Sequence, residues 1–182
     1  MIDHGFGVKL IKLDHKKHFH KTLEWRNNYK IWKWCRQNDL LTEIDHASWF
    51  ERLDHDKSIK MYGIINGHDV LVGVCGLTDI DRINQRAEFS LYIGPEHQKK
   101  GFGKAALKTL LCHGFLAQNM NLIWGETFDK NPALEMFFEI GMLLDGVRRE
   151  FYFNDGCFID ANLVSITKEE FQENLQLWML ST

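Results

Sequence analysis

The sequence predicts a mixed α/β fold in one domain over residues 1–182, with a mostly antiparallel central sheet flanked by helices. Three observations lead there. Residues 59–65 and 70–77 are β-rich runs joined by Asn66-Gly67-His68-Asp69, the best turn signal in the chain. Residues 85–93 alternate and follow a polar turn at 79–84, so the three runs read as an antiparallel meander. Past the meander, helical and strand-like patterns alternate, as in a βαβ-type unit.

In chain order, residues 8–13 alternate as a first strand. Residues 16–27 carry a helical pattern that ends at Asn27-Asn28, and the aromatic, basic segment 29–37 reads as a short helix. Asp45 can cap a helix over residues 46–53. The meander follows, then a glycine loop and a helix from Lys104 to about Leu116. Residues 122–127 form a short strand, and 131–140 a helix stopped by Gly141. Strands at 145–153 and 157–165 flank Asn154-Asp155-Gly156, and 168–182 is a polar C-terminal tail with its helix over 168–180.

Composition excludes several function classes. The 182 residues are 45% hydrophobic with 2 prolines, enough for a good core without a disordered linker. A net charge of −3 gives no general pull toward nucleic acid or acidic membranes, and no apolar run reaches membrane-span length. The N-terminal residues lack the basic and apolar regions of a signal peptide. Cys35, Cys75, Cys112 and Cys157 are scattered, which suits free thiols in a reducing cytoplasm. His15, His18 and His20 lie around a helix start without partners at ligand spacing, so no metal site is expected.

The most informative stretch is Gln98-Lys99-Lys100-Gly101-Phe102-Gly103, between strand 85–93 and the helix that Lys104 opens. Glycines let a ligand approach the backbone, and free N–H groups at a helix start favour phosphate oxygens. A Walker loop is excluded, because Ala105 follows Gly103-Lys104 where Ser or Thr is required. A dinucleotide loop would open the first βαβ unit, whereas this loop lies past the middle of the chain.

The loop fits Gln/Arg-x-x-Gly-x-Gly/Ala and resembles the pyrophosphate loop of the GCN5-related N-acetyltransferases, the GNAT superfamily. The resemblance extends from Val8 to about Phe171 in element order. Glu24-Trp25-Arg26-Asn27, Ile44-Asp45-His46 and Trp49 look like the branch acetylating amino-sugar nucleotides and ribosomal-protein N-termini. So do Gly146-Val147-Arg148-Arg149, Asn154-Asp155-Gly156, Ile159-Asp160 and Ser165-Ile166-Thr167. The resemblance implies a cytoplasmic enzyme that transfers acetyl directly from acetyl-CoA to a primary amine of a small molecule, with an amino-sugar nucleotide preferred. A protein N-terminus is the alternative acceptor. No metal, nucleic acid or membrane partner is implied, and the chain would be a monomer or homodimer.

The resemblance also implies site residues. Strands 85–93 and 122–127 would splay to admit the pantetheine arm, which would pair with the backbone of Leu91, Tyr92 and Ile93. Pyrophosphate would lie on Gln98, Lys99, Lys100, Gly101, Phe102 and Gly103, with Lys104 at the helix start. Asn131 would contact the cofactor arm while capping a helix before Pro132. The family usually has a tyrosine near the end of this helix as acid for the thiolate. Phe137 takes that place counting back from Gly141, and Phe138 counting forward from Asn131, so the phenol is missing. A catalytically impaired cofactor-binding protein is therefore a third reading.

Glu126, which interrupts the Leu122-Trp124-Phe128 face of a short strand, and Glu88, which shares a face with Ser90 and Tyr92 near mid-sheet, are the candidate bases, and His46 is a further one. The structural alternative for the carboxylates is an ion pair with Arg86, Arg148 or Arg149. Arg26, His46 and Trp49 are the expected acceptor contacts, from an unusually aromatic and basic segment.

Overall fold

The computed structural model describes residues 1–37 and 39–180. Its elements are β1 (Ile2–Asp3), β2 (Lys9–Lys12), α1 (His15–Arg26), α2 (Tyr29–Trp32), α3 (Glu43–His55), β3 (Lys60–Ile65), β4 (Leu71–Asp81) and β5 (Arg86–Ile93). Then come α4 (Phe102–Cys112), β6 (Leu122–Phe128), α5 (Ala133–Ile140), β7 (Leu143–Asn154), β8 (Cys157–Thr167) and α6 (Lys168–Leu180). All eight strands form one sheet, ordered β1-β2-β3-β4-β5-β6-β8-β7. Every neighbouring pair is antiparallel except β5–β6.

Alternation along the strands sorts side chains onto two faces. On one face Cys75, Leu77, Phe89 and Ile123 pack with Leu107, Leu110 and Phe115 from α4 and the turn after it, with Phe137 from α5 and with Phe171 from α6. On the other, Leu13 and Val74 pack with Phe19 of α1 and Phe50 of α3, with Tyr92 beside them. α1, α2 and α3 therefore cover one face, and α4, α5 and α6 the other.

Local chemistry explains the differences from the expected boundaries. The polar segment read as a turn at 79–84 is partly strand, because Asp81 of β4 still pairs with Arg86 across an irregular register. α2 spans four residues, so the helix read over 29–37 stops early. α3 begins at Glu43: Thr42 is its cap, and Asp45 is the reciprocal member of a capping box rather than the cap itself. α4 ends at Cys112 and continues as a π-helical turn, His113–Ala117. Pro132, not Asn131, takes the cap position of α5; the Asn131 side chain, one residue earlier, accepts from the Ala133 N–H at 3.0 Å. Gly141 ends it with φ +98°, while the Met142 N–H reaches back to the Phe137 carbonyl, a Schellman closure. Asp155 and Gly156 both have positive φ, as a tight primed hairpin turn requires. β1 carried no alternation strong enough to read from two residues.

Candidate active site

The parallel pairing of β5 and β6 is short. It joins Arg86 to Leu122, Ala87 to Ile123 and Glu88 to Trp124. Beyond Glu88, β5 stays on β4 through Ile93, while β6 stays on β8 through Phe128. A gap thus opens between the two strands that the resemblance expected to splay. Gly125 lies at its start, where a Cβ would come within 2.2 Å of the Phe89 ring.

The free edge of β5 follows from one hydrogen bond. The Gly94 N–H donates to the Val72 carbonyl at 2.9 Å. Backbone groups alternate sides along a strand, so those of Tyr92 and Ser90 face β4, and those of Phe89, Leu91 and Ile93 face the gap. Leu91 and Ile93 are placed to pair with an entering arm. Tyr92 is a correction: its backbone belongs to the β4 ladder, and its ring is what borders the site.

At the outer end of the gap, α4 starts without a side-chain cap. Its first helical bond runs from Ala105 N–H to Gly101 O at 3.1 Å, so the amides of Phe102, Gly103 and Lys104 precede any intrahelical acceptor. Gly101 has φ +82° and open space where a Cβ would be. Gln98 ties the loop to the strand end, its Nε2 donating to the Ile93 carbonyl at 3.2 Å. These features fit a pyrophosphate. The lysines are less free than their sequence suggests. Lys104 Nζ is 2.9 Å from Glu139 of α5, and Lys100 Nζ donates to the Glu96 carbonyl.

A cleft of about 740 Å³ connects this loop, the gap and the face roofed by α1 and α2. Arg26, Glu88, Leu91, Tyr92, Ile93, Gln98, Lys99, Gly101, Phe102, Gly103, Lys104, Glu126, Asn131 and Phe137 all line it. Phe137 is the inward phenylalanine, its ring 5.0 Å from Phe89, whereas Phe138 is exposed. No phenol of α5 faces the thioester position.

The two carboxylates sit where the strands part, and both are held. Glu88, 4% exposed, takes Arg36 at 2.7 Å on Oε1 and the Thr78 hydroxyl on Oε2. Glu126 takes Arg148 at 2.8 Å on Oε2 and the Tyr152 hydroxyl on Oε1. The expected partner Arg148 is thus confirmed for Glu126, while Arg86 pairs with Asp81 instead. Arg36 and Tyr152 were not foreseen. Arg36 stands in the basic, aromatic segment already singled out, but Tyr152 arrives through the β7–β8 hairpin, which no local pattern links to Glu126. Burial, followed by the Glu126 bond, pushes the Tyr152 phenol up, so it serves as a donor.

His46 and Trp49 do not reach the cleft. His46 is 2% exposed, with its Nε2 2.8 Å from Thr22 Oγ1 of α1 and its ring stacked on Trp49. Burial, reinforced by Arg26, lowers its imidazole to about 4, so it is neutral and a poor base at neutral pH. The Asp-His pair expected before a helix lies in its first turn, as the capping-box carboxylate beside a packing residue.

Arg26 and Tyr92 do meet in the cleft. The guanidinium lies over the Tyr92 ring, 5.9 Å from its centroid. Arg26 Nε and the Tyr92 hydroxyl are buried without a hydrogen-bond partner among the described residues. An unsatisfied buried donor costs about 1–3 kcal/mol, so such groups point to an absent acceptor.

Comparison with known proteins agrees with this geometry. The sequence model of the acetyltransferase (GNAT) domain matches residues 8–139. The chain belongs to the GNAT acetyltransferase family. An uncharacterized N-acetyltransferase p20 of Bacillus licheniformis is 30% identical over 136 residues, 71% of this chain and 76% of the relative. A spermidine N(1)-acetyltransferase of Vibrio cholerae is 28% identical over 118 residues, 64% of this chain and 68% of the relative. In three dimensions the chain resembles the crystal structure of a spermidine N-acetyltransferase from Vibrio cholerae in complex with CoA and spermine. The TM-score is 0.86 at 23% identity, over 91% of this chain and 98% of that one. This GNAT protein is an acetyl-CoA-dependent N-acetyltransferase. The expected branch is corrected: the relatives named here for an acceptor act on spermidine, and none on an amino-sugar nucleotide or a ribosomal protein. Among the described residues, no helix is long and apolar enough to cross a membrane, and no cluster of three metal-ligating side chains occurs.

Proposed function

We propose that this GNAT protein transfers the acetyl group of acetyl-CoA to the primary amine of a small aliphatic acceptor that enters between α1, α2 and the β5–β6 gap. The observation that carries this is a continuous cleft with an uncapped helix start at one end and two buried carboxylates at the other. The spermidine acetylated by relatives belongs to this acceptor class. A nucleotide-linked amine has no support from those relatives.

In this reading the α4 amides and the loop hold pyrophosphate, and the free edge of β5 aligns the pantetheine arm. An N–H of that edge polarises the thioester carbonyl. Glu126, one residue past the splay point, takes the proton of the attacking amine directly or through water. Arg148 and Tyr152 hold its carboxylate in place. Glu88 anchors Arg36 across the same chamber.

The test is free-thiol release from acetyl-CoA with an amine panel: spermidine, plain alkylamines, amino acids, a glucosamine nucleotide and a short peptide. Turnover with small aliphatic amines above the peptide and the nucleotide supports the reading. Acetyl-CoA binding without thiol release for any amine overturns it and leaves a cofactor-binding protein.

A further inference from the structure

We propose that the acceptor chamber takes a primary amine that also carries a carboxylate or phosphate group, docked on Arg26 and the Tyr92 hydroxyl. This rests on the acetyl-transfer reading above and narrows its acceptor.

The first argument is hydrogen-bond capacity. Four buried side-chain atoms lack a partner among the described residues: Arg26 Nε, Trp32 Nε1, Tyr92 Oη and Asn162 Nδ2. Each is a donor, and the residues of two of them, Arg26 and Tyr92, line the cleft. Burial keeps the Tyr92 phenol protonated. A guanidinium beside a phenol O–H offers donors and no acceptor except the phenol oxygen. Carboxylate and phosphate are the groups that complement it. An ammonium would meet the guanidinium charge there, with the phenol oxygen as its one acceptor.

The second argument is charge. Arg26, Lys30 and Arg36 line the chamber and Arg148 reaches its Glu126, against the carboxylates of Glu88 and Glu126. Both carboxylates are already paired, to Arg36 and Arg148. Glu139, at the loop end of the cleft, is paired to Lys104, so among the described lining residues no carboxylate is left without a cation to hold a second or third ammonium of a polyamine. Among the described residues Arg26 and Lys30 of this lining make no ion pair, and Arg26 is the one beside the unpaired phenol.

The third is placement. Arg26 is the last residue of α1, and its neighbour Trp25 is 1% exposed and packed against Gly94, with its indole N–H bonded to Glu96. The guanidinium is thereby held over β5. Tyr92 and Glu88 share one strand face, four residues apart, roughly 13 Å of strand. An acceptor several atoms long can place its amine near Glu126 and its anion at Arg26.

The experiment compares 6-aminohexanoate and 4-aminobutyl phosphate with n-hexylamine and spermidine as acceptors. Thiol release gives kcat/KM, and calorimetry on the CoA-loaded protein gives binding without transfer. The expected result is at least about a tenfold kcat/KM advantage for one of the anionic amines, a modest share of the roughly 10⁴–10⁵-fold that a site hydrogen-bonding a substrate group can reach. Preference between the two identifies carboxylate or phosphate. Arg26→Gln and Tyr92→Phe each shrink that advantage, chiefly through KM, and weaken binding of the anionic amine. Spermidine or hexylamine equalling the anionic amines, or an advantage unchanged in Arg26→Gln, overturns the proposal while leaving acetyl transfer standing. Thiol release with no amine, but anionic-amine binding lost in Arg26→Gln, overturns the transfer reading and supports the subsite. Neither binding nor release overturns both.

Discussion

The Tyr152 hydroxyl, on β7, donates to the Glu126 carboxylate, on β6, although β8 lies between the two strands. The contact is made over the face of β8, where Phe128 and Tyr152 rings also meet at 5.1 Å. It fixes the carboxylate beside the point where β5 and β6 part.

If Glu126 accepts the amine proton, its charge matters more than its shape. Glu126→Gln keeps the side-chain volume and a hydrogen bond, and is expected to lower kcat about 100-fold, within the range of a lost general base. Acetyl-CoA affinity, measured by calorimetry, stays within about twofold, because the substitution leaves the α4 amides and the β5 edge untouched. Tyr152→Phe removes only the positioning bond, and a roughly tenfold loss is expected. Full activity in Glu126→Gln would move the role to Glu88.

Gly101 separates backbone strain from ligand electrostatics. Its φ of +82° makes any side chain cost roughly 1 kcal/mol, whereas a Cβ meets nothing. Gly101→Ala should lower stability by that amount in urea unfolding. Gly101→Glu adds a carboxylate where pyrophosphate is expected, and acetyl-CoA Kd should rise at least about 30-fold beyond the alanine variant. Equal Kd values in the two variants would remove the loop from the binding site.

His46 makes stability fall in acid. Its folded pKa, about 4, lies below the ordinary 6.5, so the unfolded chain binds the extra proton first. The stabilisation is whole above about pH 6.5 and is lost as pH falls toward 4. His46→Gln should be less stable at pH 7.5, through lost packing, yet show a shallower decline between pH 6.5 and 4.5. Thermal melts across that window should show the wild-type Tm dropping roughly 3–6 °C further than the variant's, on the scale of one to two kcal/mol. Parallel slopes would show that another group governs the acid limb.

Much of the fold was legible because its signals are local. The Asn66–Asp69 and Asn154–Gly156 turns, the strand alternation and the glycine at the start of α4 each act within a few residues. The departures came where tertiary bonds extend or shorten an element. β4 ran on to Asp81 because Arg86 faced it, and α3 began at Glu43, capped by Thr42, because Asp45 closed the capping box from inside the helix.

The sequence alone marked the proposed cofactor end: a glycine loop at a helix start, on a strand and helix adjacent in the chain, with Phe137 in the helix that faces it. Backbone sites of this kind need only neighbouring residues, so they survive in one-dimensional form. The acceptor end was decided by tertiary structure alone. Arg36 reaches Glu88, Tyr152 and Arg148 reach Glu126, and Arg26 lies over Tyr92, across sequence separations of 22 to 66 residues. His46 and Trp49 come from the same aromatic, basic region, but the periodicity of α3 points His46 at Thr22 of α1 and leaves Trp49 half-buried, stacked on the His46 ring. Which polar side chain faces a cleft and which is buried depends on the packing of helices onto a sheet face, and that packing is not written in the spacing of any one segment.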